Sequence, residues 1–113
     1  MEKTRKKDLI RTFKEQKPNP GIFAVRCNAT GAAWVASSPN LDRQQNSVWF
    51  ALRMGGRFYN AALTAAWKDH GEGAFVFEVL EEVSDDNTLL IPALLKERAL
   101  HWRKELRAEP VIG

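Results

Sequence analysis

The chain has 113 residues, 44% hydrophobic and 27% charged, with a net charge of +3 and a pI near 9.2. These figures fit one globular domain with a modest core, and no apolar run approaches the roughly 20 residues that span a bilayer. Cys27 is the only cysteine, which excludes an internal disulfide or a cysteine-rich zinc site. No signal-peptide pattern opens the chain, so the expected location is a reducing cytoplasm, with no membrane partner.

The first stretch is the most basic part of the chain. Lys3, Arg5, Lys6, Lys7, Arg11, Lys14 and Lys17 crowd it, diluted by Glu2, Asp8 and Glu15. Such a segment suits phosphates and equally suits a solvated helix face near a terminus. Leu9, Ile10 and Phe13 have helical spacing, which predicts a short amphipathic helix over 8–16. Pro18 and Pro20 then stop it.

Residues 22–26 (Ile-Phe-Ala-Val-Arg) and 33–37 are β-prone, and Asn28-Ala29-Thr30-Gly31 between them is turn chemistry. A hairpin is expected. Asn28-Ala29-Thr30 also matches a glycosylation acceptor, but reads here as a turn. Ser37-Ser38-Pro39-Asn40 offers caps for a helix over 41–54, ended by Gly55-Gly56. Asn60 caps a second helix over 61–70, closed by Gly71. Residues 74–83 form a strand of Phe and Val in which Glu78 interrupts the apolar positions. The last helix is expected to start with Pro92 as its first residue. The order predicts a small α/β (α+β) domain, a central sheet of about three strands flanked by helices.

Several of these landmarks coincide with one family. Gly21-Ile22-Phe23, Trp34-Val35-Ala36, Ser37-x-x-Asn40-Leu41-x-Arg43, Gly56, Asn60, Leu63, Trp67, Phe75, Phe77-Glu78-Val79-Leu80-Glu81 and Leu95-x-Glu97-Arg98 through Trp102-x-Lys104-Glu105-Leu106 stand in order with natural spacing. Together they resemble the GIY-YIG nuclease module over residues 20–107. The resemblance implies a ββααβα core with an extra N-terminal helix: residues 1–19 form that helix and a Pro-rich connector, and 20–113 the GIY-YIG-like domain. It also implies phosphodiester cleavage with one divalent metal, Mg²⁺ or Mn²⁺. In the family, tyrosines of the two triplets help activate water, an arginine on the first helix stabilises developing charge, and a glutamate on the last helix holds the metal. These are the parts an in-line displacement needs.

Carried over by position, the resemblance puts Arg43 at the family's arginine, Phe23 at the first tyrosine and Trp34 at the second. Phenylalanine has no proton to exchange, and an indole donates but cannot accept. Ala36 stands for a glycine. Tyr59, the only tyrosine, falls beside Phe58, where relatives carry histidine. Counted without gaps from Trp102, the metal glutamate falls on Ala99; a shift of two residues selects Glu97. Leu95, Ala99, Trp102 and Leu106 follow one buried stripe and Glu97 lies nearly opposite, so Ala99 is the better match and Glu97 the fallback ligand, with His101 as its i+4 neighbour.

Trp49, Phe50, Trp67 and Trp102 read as core, and His70 as a helix C-terminal residue. Arg26, Arg43, Asn46, Arg57 and Asn60, with Gln44 and Gln45 beside them, form a candidate nucleic-acid groove. Three functions follow. One is a domain that binds nucleic acid, DNA ahead of RNA, with cleavage weak, altered or lost. The second is an active metal-dependent endonuclease using Arg43, Trp34 and Glu97; the third is a non-catalytic scaffold.

Overall fold

A computed structural model describes residues 19–112. The helix expected over 8–16 lies outside the described residues. Within them, β1 (Gly21–Cys27) and β2 (Ala33–Ser38) form the hairpin, followed by α1 (Leu41–Arg53) and α2 (Ala61–His70). Then come β3 (Phe75–Glu82), α3 (Ile91–Leu106) and a two-residue strand, β4 (Glu109–Pro110). The sheet order is β3-β1-β2-β4. Thus β1 lies between two antiparallel partners, and β4 adds a short parallel edge beside Trp34 and Val35. The fourth strand was not expected; two residues are too few to leave a period.

The hairpin turn closes through Gly31, whose φ of 76° a side chain would oppose. Gly21 is required for a different reason. A β-carbon there would run into the Glu81 carbonyl oxygen and the Leu41 side chain, so the first triplet's glycine lets β1, β3 and α1 meet.

Alternation along the central strand divides the core in two. Phe23, Val25, Cys27 and Trp34 face α1 and α2, packing with Leu41, Val48, Trp49, Leu52, Leu63 and Phe75. Ile22, Ala24 and Val35 face the opposite way, against Leu95 and Ala99 of α3. A register shift between Ile22 and Phe23 bends β3 at that point. Burial of each large side chain in these layers stabilises the fold by roughly 1.5–3 kcal/mol.

The cap of α1 differs from expectation. Asn40 makes no side-chain cap bond and its Oδ1 is buried without a partner. Asn19 takes over: its backbone oxygen accepts from Leu41 N (2.9 Å) and its Oδ1 from Asp42 N (3.1 Å). Its Nδ2 also donates to Asp42 Oδ1 (3.2 Å). A residue ahead of β1 thereby fixes where α1 begins. α2 is capped as the sequence indicates, with Asn60 Oδ1 accepting from Ala62 N and Leu63 N at 2.9 and 3.2 Å. α3 starts at Ile91, one residue before Pro92, which sits in the first turn where its missing N–H costs nothing.

Candidate functional site

The two motif triplets lie side by side, Phe23 opposite Ala36 and Trp34 opposite Val25. Both aromatic rings point to the α1–α2 side and both are sealed. Phe23 is 1% exposed and Trp34 3%. Phe23 stacks on Phe77 at 5.0 Å between centroids, and Trp34 on Phe75 at 6.4 Å. Trp49 and Trp67 complete the cluster, Trp49 by edge contacts with Trp67 (5.4 Å) and Phe77, and Trp67 by a tilted contact with Phe75. Aromatic stacks of this kind are packing geometry, and a ring as enclosed as Phe23 presents no atom to a substrate.

Ala99 is 1% exposed, in the other core. It is therefore separated from Phe23 and Trp34 by the sheet itself. Glu97 is exposed on the outer side of α3, about 200° around the helix from Ala99, and His101 is exposed as well. Among the described residues no group of three His, Cys, Asp or Glu side chains converges. The donor set does not fit a metal at the family's position: the inward residue is a methyl group, and the nearby carboxylate faces solvent.

Arg43 does not turn toward the hairpin. The sheet-facing stripe of α1 runs through Leu41, Val48 and Leu52, and Arg43 lies about 200° from Leu41. The half-buried position next to it belongs to Gln44, whose Oε1 accepts from the Ser38 hydroxyl at 2.7 Å. Ser38 in turn accepts from Asn40 N at 3.0 Å and is fully buried. The residue of the first helix that reaches the end of β2 is thus an amide. Its rotation differs from that of Arg43 by a single residue.

The five groove candidates are dispersed. Arg26 is tied to Glu78 at 2.6 Å across β1 and β3. Asn60 is used at both ends, its oxygen in the α2 cap and its Nδ2 donating to Glu109 Oε2 at 3.0 Å. Arg57 is exposed, its guanidinium carbon 5.3 Å from the Phe58 ring centroid. Arg43 and Asn46 are exposed on one side of α1. The structure does bring Arg26 and Trp34 to one cleft of about 380 Å³, shared with Ala62, Arg107 and Glu109. Its lining holds two cations, Arg26 and Arg107, and one carboxylate, Glu109. Tyr59 is half-buried against the α1–α2 core, where burial pushes its phenol above the ordinary value and keeps it protonated.

Two arrangements were not anticipated. Glu81 Oε1 accepts from Trp102 Nε1 at 2.9 Å and from Arg98 Nε at 2.8 Å. The indole donation, then the arginine, hold this carboxyl below its usual range although burial opposes them. The pairing joins β3 to α3, which explains why Trp102 is only half-buried. Second, Phe50, expected in the core, is 63% exposed. It lies opposite Leu41, Val48 and Leu52 on the helical period, a signal present in the sequence.

Comparison with solved structures places this architecture. A mutant of the catalytic domain of the intron endonuclease I-TevI is 22% identical, over 84% of this chain and 99% of that one, with a TM-score of 0.67. The catalytic domain of homing endonuclease I-TevI is also 22% identical, over 78% and 88%, with a TM-score of 0.62. The chain has the GIY-YIG nuclease fold. No protein-family model and no curated protein matches the chain. The GIY-YIG fold explains the conjunction of hairpin, paired helices and terminal helix. At this identity it carries the architecture, while the chemistry rests on the side chains described above.

Proposed function

We propose that this GIY-YIG-fold domain binds nucleic acid, DNA ahead of RNA, and has lost cleavage at the family's positions. The observation that carries the reading is the burial of Phe23, Trp34 and Ala99 in two separate cores. A positioned acid or base is worth about 10²–10⁴ in rate, and neither triplet supplies one. A metal ligand is missing as well, so a Mg²⁺ or Mn²⁺ cofactor forms no part of the reading.

Binding is supported by charge placement. Seven basic and three acidic residues precede Asn19, a net of +4, against ten and eleven from Asn19 onward, a net of −1. The charge excess of the chain thus lies in residues 1–18. On the body, Arg43 and Arg57 have no carboxylate partner among the described residues, whereas Arg26, Arg53 and Arg98 are each paired. Neighbouring phosphates would find those two cations available.

The test is incubation of the chain with labelled single- and double-stranded DNA and RNA, with Mg²⁺ or Mn²⁺, beside an Arg43→Ala variant. Salt-sensitive retention without products is the expected result. Products formed by the wild type and not by Arg43→Ala would establish the endonuclease instead. No retention of any nucleic acid at low salt would leave the scaffold.

A further inference from the structure

Resting on the nucleic-acid reading above, we propose that the outward face of α1 takes a single strand, with Phe50 as a base-stacking platform and Arg43 as its phosphate contact. Arg43, Asn46, Phe50 and Met54 follow one another at spacings of three or four, so they line one side of the helix. That side is opposite the buried stripe, and no other described element packs on it. Phe50 is 63% exposed and Met54 73%. From Arg43 to Phe50 the rise is about 10 Å.

Charge selects the occupant. The one carboxylate of α1 is Asp42, and it is engaged by Asn19. The outward line itself carries a guanidinium and an amide with no acid among them, which complements a polyanion. The turn leaving α1 repeats the combination, with Arg57 against Phe58, which is 73% exposed. Arginines interleaved with exposed rings are the means by which proteins hold strands whose bases are unstacked. In a duplex the base faces cover one another, and Phe50 would meet only their edges or the backbone. A single strand leaves those faces open, and the amide of Asn46 can bond to base edges or sugars.

The experiment measures binding of the full chain to a fluorescent oligothymidylate and to a duplex of equal length. Wild type, Phe50→Ala, Phe50→Leu and Phe50→Trp are compared by anisotropy and checked for folding by circular dichroism. Phe50→Ala and Phe50→Leu are expected to weaken single-strand binding by at least about fivefold. Phe50→Trp retains it, and duplex binding changes less than twofold in all three. Full affinity in Phe50→Leu would show an apolar contact without stacking and overturn the proposal. So would tighter binding of duplex, or an unchanged Phe50→Ala; in those cases nucleic-acid binding itself still stands. Absence of wild-type binding to either probe overturns both readings. Concentration-dependent dimerisation lost in Phe50→Ala, with binding intact, would assign the face to a second copy of this chain and likewise overturn the proposal.

Discussion

The two sides of α1 meet different surroundings. Its inner side meets Phe23 and Trp34 in a closed aromatic layer. Its outer side presents Arg43, Asn46 and Phe50 to solvent. The inner side holds Phe23 and Trp34, at the positions of the two motif tyrosines, and both are packing groups. The outer side has the charge and the rings, but no group that could activate water. On the proposed reading, the fold keeps its hydrophobic layers while binding falls to the outer face of the same helix.

The largest expected effect tests the inner side. Phe23→Ala should lower stability by about 3–5 kcal/mol in urea or thermal unfolding, as for other buried phenylalanines. A loss under about 1 kcal/mol would mean that the ring borders an open cleft, and the contrast between the sides would fail. Next is the device that sets the rotation of α1. Asn19→Ala removes the donated cap and should cost about 1 kcal/mol, measured by the same unfolding curves. An unchanged midpoint would show that α1 keeps its start without Asn19.

The smallest effect lies across the sheet, at Glu81. Its folded-state carboxyl is held below the unfolded value of about 4.3, so its contribution is complete above that pH. It is lost as the pH falls through the lowered folded value. The side chain is 30% exposed and Arg98 35%, so the contribution is no more than about 1 kcal/mol. Glu81→Gln should therefore lower stability slightly at pH 7 and flatten the acid limb of a stability–pH profile. A mutant with the wild-type acid limb would remove Glu81 from that role.

Much of this architecture was legible in residue order. The hairpin, both middle helices and the inward set of Leu95 and Ala99 follow from apolar spacing, turn residues and the Asn60 cap. These signals are local. What escaped depends on rotation and on distant partners. Arg43 and Gln44 are adjacent in sequence, but about 100° of helical turn puts one in solvent and the other against Ser38. The start of α1 is set by Asn19, 22 residues before Leu41, beyond any window of periodicity. Glu81 with Trp102 and Arg98 joins two elements whose meeting no motif announced. Motif position alone assigned Arg43 and Trp34 to one site; the geometry sends them to opposite sides of a helix.

Salt dependence of binding separates those sides most directly. With an oligothymidylate probe, log K against log salt should be measured for wild type, Arg43→Ala and Trp34→Phe. Loss of one phosphate contact lowers the slope by about 0.7 on a single strand. The account predicts that drop for Arg43→Ala and an unchanged slope for Trp34→Phe. An unchanged slope in Arg43→Ala, or a drop in Trp34→Phe, would contradict it.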